Sequence, residues 1–155
     1  MLIDASSWIR KNRTGSREYG RRQMREVSKV CEVDMYVTAS ASNYWAKVRF
    51  QDGKGQIHER VLEREHEGTV NGNYLTAMTV AFRILLKPCM VTVHCGSDHI
   101  TACIQNGWVN EWEKREWKNA KGNKVKNAEQ WEQFRKVAAP HSVRVIYEKG
   151  AEDEN

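Results

Sequence analysis

A chain of 155 residues suits one domain with a true core and excludes two of ordinary size. Charged residues make up 29% and apolar ones 40%, which excludes a wholly disordered chain, and no apolar run reaches the ~20 residues needed to span a bilayer. The net charge of +5 is localised: residues 1–30 hold eight Lys and Arg against Asp4, Glu18 and Glu26, leaving the rest balanced.

Residues 1–30 therefore read as a basic extension. Within it, "SREYGRRQMREVSKV" predicts a helix with Tyr19, Met24, Val27 and Val30 on one side, weakened by Gly20. It lacks the apolar stretch of a secretory leader, so the expected location is the cytoplasm. From residue 31 the period changes. "VDMYVTAS" (33–40) and "NYWAKVRFQ" (43–51) predict two strands. After the turn cluster "QDGKGQ", "IHERVLERE" (57–65) predicts a third with one wet face, completing an antiparallel meander.

"NGNYLTAMTVAFRILLK" (71–87) carries Leu75, Met78, Ala81, Phe82 and Leu85 at helical spacing, with Pro88 beyond its end. "MVTVHC" (90–95) predicts an almost wholly apolar strand covered on both faces. "SDHITACIQNG" (97–107) predicts a helix capped by Ser97 and ended by Gly107. A further helix follows through Trp108 and Trp112, one turn apart, with Trp117 off their stripe. "NAEQWEQFRKVAA" (127–139) predicts the last helix and "SVRVIYE" (142–148) the last strand. The acidic tail "AEDEN" occupies 151–155. The order β-β-β-α-β-α-(α)-α-β implies a mixed five-stranded α/β (α+β) sheet over residues 31–150, three antiparallel strands followed by parallel additions, flanked by helices.

Cys31, Cys89, Cys95 and Cys103 contain no C-x-x-C pair, so reduced, buried thiols are expected rather than a zinc site. The five histidines are scattered, and His94 is expected to pack within its strand. Residues 108–127, "WVNEWEKREWKNAKGNKVKN", hold six basic side chains against Glu111, Glu113 and Glu116. Two basic patches on a neutral body point to a polyanion partner; a solvated charged face gives the same counts.

"W-V-N-E-W-E-K-R-E-W-K", "K-V-K-N-A-E-Q-W" and "SVRVIYEKG", placed in that element order, resemble bacterial type 1 ribonuclease H of the ribonuclease H-like superfamily. The resemblance covers about residues 33 to 150 and is strongest from 90 onward. It implies a basic handle, or protrusion, in which Trp108, Trp112, Trp117 and Trp131 are structural. Lys114, Arg115, Lys118, Lys121, Lys124 and Lys126 would then face the phosphates of an RNA/DNA hybrid or duplex. Asn43, Asn71 and Asn73 are carried over as polar contacts to the hybrid near the site.

The family cuts RNA in hybrids with two Mg²⁺ ions held by carboxylates at four places. The resemblance puts Ala39 at the first place, in "T-A-S-A", Tyr74 at the second, in "G-N-Y-L", and Gly96 at the third, in "C-G-S". It assigns the fourth to a C-terminal helix, which is expected to be missing because the chain stops at Asn155. The expectation is a nucleic-acid-binding pseudoenzyme with no catalytic residue and no metal. Mg²⁺ or Mn²⁺ would enter only through a site rewired around Asp98, Asp34 or Glu148, giving a divergent hybrid endoribonuclease. A different reading is an assembly module, dimeric or partner-bound. Without that helix the sheet near Val143–Tyr147 is left for a second copy, another protein or residues 1–30 to cover.

Overall fold

Alternation of apolar and polar side chains sets the sheet. β1 (Glu32–Ala39), β2 (Asn43–Gln51) and β3 (Ile57–Glu65) form the antiparallel meander, with Met35 opposite Val48 and Val48 opposite Arg60. β4 (Met90–Cys95) and β5 (Ser142–Tyr147) join in parallel, giving the order β3-β2-β1-β4-β5. The computed structural model describes residues 31–149; the helix predicted within 1–30 and the acidic tail lie outside them.

Four described helices join the sheet: α1 (Val70–Arg83), α2 (Asp98–Gln105), α3 (Trp108–Lys114) and α4 (Ala128–Ala138). One face of the sheet supplies Val33, Met35, Val37, Val48, Val91 and Val93 to a single buried cluster. Leu75, Met78 and Phe82 of α1, Ile100 of α2, Val109 of α3, and Trp131 and Phe134 of α4 enter the same cluster. Each large apolar side chain withdrawn from water stabilises by roughly 1.5–3 kcal/mol. Helix α1 lies against both the sheet and α4, so its buried residues run almost all round it rather than along one stripe.

One helix end differs from the expectation. α1 stops at Arg83 rather than 87, because the chain tightens there: Ile84 N–H bonds Ala81 O at 3.3 Å and Leu85 N–H bonds Phe82 O at 3.0 Å. Leu85 still reaches the core, whereas Leu86 points out. As expected, the segment after Ser97 is two helices divided at Gly107, which takes φ 76, a left-handed backbone that favours glycine. Ser97 caps α2 as expected, its Oγ accepting from Ile100 N–H at 3.2 Å.

The second face of the sheet carries polar and aromatic side chains. His94, expected to pack simply, lies flat on Tyr36 with ring centroids 4.3 Å apart. Its Nε2 is 2.9 Å from Asp34 Oδ1 and its Nδ1 is 2.6 Å from Glu148 Oε2. None of the described helices is long and apolar enough to cross a membrane.

The β2–β3 turn supplies a pH test. Asp52 Oδ2 lies 2.9 Å from His58 Nε2, and Asp52 Oδ1 accepts from Gln56 N–H at 2.9 Å and Lys54 N–H at 2.8 Å. The His58 contact and then the backbone donors hold the carboxyl at about 2, against an ordinary 3.8. The unfolded chain therefore takes this proton first, so the stabilisation is complete above 3.8 and disappears as pH falls through about 2. Amide protection of the β2–β3 hairpin will decline across that window, and Asp52→Asn will remove that component of the decline; hydrogen exchange followed by NMR measures both.

Candidate nucleic-acid interface

The three positions expected to lack carboxylates come together where β1 and β4 end against α1. Gly96 N–H donates to Val37 O at 3.1 Å, joining the strand ends. Tyr74, buried on α1, sends its hydroxyl to within 3.4 Å of Thr38 Oγ1, next to Ala39. A Cβ on Gly96 would fall 2.6 Å from that hydroxyl oxygen. A side chain at 96 therefore requires the phenol to move.

The three asparagines divide. Asn73 is 1% exposed and its amide is used internally: Nδ2 donates to Ser40 O and His66 O, both at 2.8 Å, while Oδ1 is 2.7 Å from His66 Nδ1. The expectation that Asn73 touches a ligand is corrected, because it instead ties the β1–β2 turn and the chain after β3 to α1. Asn43 is exposed beside Ser40, whose hydroxyl donates to Asn43 Oδ1 at 2.8 Å. Asn71 lies in the first turn of α1 and accepts from Ser97 Oγ at 3.2 Å, linking α1 to the residue after Gly96.

Asn71 also lines a cleft of about 400 Å³ together with His99, Trp112, Lys124, Lys126 and Asn127. The N-termini of α1 and α4 meet beside it. Thr69, the α1 N-cap, accepts from Gly72 N–H at 2.9 Å and donates its own proton to Asn127 Oδ1 at 3.2 Å. Asn127, the α4 N-cap, holds φ 62 and makes no side-chain cap hydrogen bond to the helix. The first turn of α1 contains no acid, whereas α4 carries Glu129 there. Two helix ends, two lysines and amide groups favour an anion. Sequence reasoning missed Thr69 and Asn127. Thr69 was legible as a capping residue one position before a helix; its meeting with Asn127, 58 positions away, was not.

Between α3 and α4 lies the segment expected to form the handle. Trp117 N–H bonds Trp112 O, and positive φ at Glu116 and Trp117 then swings the chain away from the helical path. Trp117 is buried as a result, although it falls off the helical stripe. Val125 N–H returns to Trp117 O at 2.9 Å, and Lys118 bridges Lys124 across a short ribbon. Trp112 meets Trp131 edge-on at 6.0 Å, and Trp131 is 2% exposed. Trp108 is corrected: at 45% exposed it is no anchor, because α3 buries Val109 instead. Lys114, Arg115, Lys118, Lys121, Lys124 and Lys126 are all exposed, and of these Lys124 and Lys126 line the cleft. Glu113 does not weaken this basic surface fully, since Arg135 of α4 binds its Oε1 at 3.0 Å.

The RNase H family model matches residues 32–154. This chain belongs to the RNase H family. It is 36% identical over 103 residues to a ribonuclease H of Gluconobacter oxydans, covering 66% of this chain and 67% of that protein. It is 34% identical over 94 residues to one of Thermus thermophilus, covering 60% and 57%. The chain thus spans about two thirds or less of the length of these curated relatives. Among solved structures, LC9-RNase H1 superposes with a TM-score of 0.67 at 20% identity, covering 78% of this chain and 64% of that one. LC11-RNase H1, solved with an RNA/DNA hybrid, gives 0.53 at 16% identity, covering 79% and 88%.

Family membership raises the question of a divalent metal, which needs several oxygen ligands at fixed geometry. The residues at the strand ends do not fit one: a methyl group, a phenol and a glycine supply no carboxylate. Among the described residues no group of three His, Cys, Asp or Glu could hold a metal ion. The acids expected as substitutes do not converge. Asp34 and Glu148 are joined through His94, and Asp98 begins α2.

Proposed function

We propose that this RNase H-family domain binds nucleic acid, an RNA/DNA hybrid or a duplex, without cutting it. The observation that carries the reading is the continuity of the cleft with the blocked strand ends. The Asn71–Ser97 hydrogen bond places the anion-favouring cleft of Lys124, Lys126 and Asn127 one residue from Gly96. A backbone phosphate settles between the two helix ends, and the exposed lysines of the handle neutralise its neighbours. The strand beside it then meets Tyr74 rather than metal-bearing carboxylates, so it is held and not hydrolysed. Solved members of the fold in complex with RNA/DNA hybrid support the choice of partner.

The test is filter binding at several salt concentrations with hybrid, double-stranded RNA, duplex DNA and single strands. Each phosphate contacted on a duplex steepens the log–log salt slope by about 0.9. Replacing Lys124 and Lys126 with alanine will make the slope shallower by about 1.8, with similar losses for hybrid and duplex, since lysines on phosphate carry no sequence information. With Mg²⁺ or Mn²⁺, a labelled hybrid will stay intact. Metal-dependent cleavage abolished by Asp98→Asn would instead establish a rewired nuclease.

A second reading, an assembly module, draws on β5. It is an edge strand with Tyr147 48% exposed, and such an edge offers unpaired backbone groups to another chain. Light scattering separates the two: a salt-independent dimer that binds no oligonucleotide would favour assembly.

A further inference from the structure

The sheet brings two cysteines together at the end opposite the cleft. The parallel ladder between β1 and β4 starts with Glu32 opposite Met90, so Cys31 and Cys89 stand opposite one another one residue earlier. Met90 N–H donates to Cys31 O at 2.8 Å, continuing the ladder through this pair. Cys31 shares its side of the sheet with Val33 and Met35, as Cys89 does with Val91 and Val93, so both thiols point to the same face. Neighbouring strands lie about 4.8 Å apart, inside the Cα separation a disulfide spans. All four cysteines are free thiols: Cys31 is partly exposed, whereas Cys89, Cys95 and Cys103 are buried.

We infer that Cys31 and Cys89 are a peroxide-oxidisable dithiol that closes to a disulfide tying the start of β1 to the start of β4. Cys31 is the attacking sulfur. It is partly exposed where Cys89 is buried, and the neighbouring Cys89 thiol, and then the Lys87 charge, lower its pKa below the ordinary thiol value. Its partner moves the opposite way, through the neighbouring Cys31 and through burial. Burial also raises Cys95 and pushes Cys103 up to about 11, so neither competes. The Cys31 thiolate attacks hydrogen peroxide, breaking the O–O bond; one oxygen stays as sulfenic acid and the other, with a proton, leaves as water. Cys89, whose Sγ otherwise donates to Lys87 O at 3.2 Å, then attacks the sulfenic sulfur. The S–S bond forms and a second water departs with the Cys89 proton. The pair loses two electrons, which reduce one peroxide. Cys31 is also where the basic segment 1–30 joins the sheet, so the bond fixes that junction covalently.

The test uses the full chain. Treat it with hydrogen peroxide, alkylate free thiols under denaturing conditions, and map peptides without reduction. The expected result is a Cys31–Cys89 cross-linked peptide, with Cys95 and Cys103 alkylated. In Cys89→Ser, Cys31 will persist as a sulfenic acid that dimedone traps; in Cys31→Ser, Cys89 will stay a free thiol. Should Cys89→Ser fail to fold, the wild-type map decides alone. Cys31 recovered as sulfinic acid, a chain-to-chain Cys31 disulfide, or a bridge to Cys95 or Cys103 would overturn the inference.

Discussion

Gly96→Asp will destabilise the protein by about 2–4 kcal/mol, and Tyr74→Phe will recover about 1–2 kcal/mol of that loss. The new Cβ would lie 2.6 Å from the Tyr74 hydroxyl oxygen, a separation real Cβ atoms do not show. Something must move, and α1 is held by the core on both sides. Removing the hydroxyl leaves the ring carbon Cζ at 3.5 Å, an ordinary contact, so the two substitutions are coupled rather than additive. The remaining penalty is a carboxylate in a partly covered site with no cation beside it. Urea unfolding of the two single variants and the double variant gives the coupling energy. Additive effects would mean that Tyr74 does not occupy the place where a carboxylate would stand, and the proposed inertness would lose its physical basis.

Trp131→Ala will cost about 3–5 kcal/mol, the range for removing a large aromatic side chain from a core. Trp131 is 2% exposed, stands edge-on to Trp112 at 6.0 Å and to Phe134 at 6.3 Å, and Phe134 continues the chain of rings to Phe82 of α1. It thus joins handle, α4 and α1 through one set of contacts. Its ring also lines the cleft with Asn71, Lys124 and Lys126. The variant will therefore lose affinity for polyanions even at temperatures where it remains folded, whereas Trp108→Ala, at an exposed position, will change stability by under about 0.5 kcal/mol. Thermal unfolding and filter binding on both variants measure this. Equal losses for the two tryptophans would show that the handle is held by α3 rather than by α4.

Much of this fold was legible locally. Alternation in 33–40 and 43–51 wrote out β1 and β2, because a strand with one face in the core must repeat every two residues. Leu75, Met78 and Phe82 at helical spacing marked α1, and Ser97 marked the start of α2 through its own hydroxyl. The six handle lysines and arginines were found by composition alone, as charge needs no contact to be counted. The break at Gly107 was legible because glycine favours a left-handed backbone, whereas the turn through Glu116 and Trp117, which puts positive φ on residues that rarely take it, was beyond periodicity.

The sequence by itself determined the element order, the family resemblance and the residue types at 39, 74 and 96, since each is a matter of pattern along the chain. Only the tertiary structure decided that Tyr74 lies against Gly96, that Asn73 is consumed inside the fold, that Trp117 is buried while Trp108 is not, and that Thr69 meets Asn127 beside two lysines. The reason is that such contacts join residues separated by a strand or several helices. Their distances are fixed by how the elements pack against one core, and no local spacing encodes them.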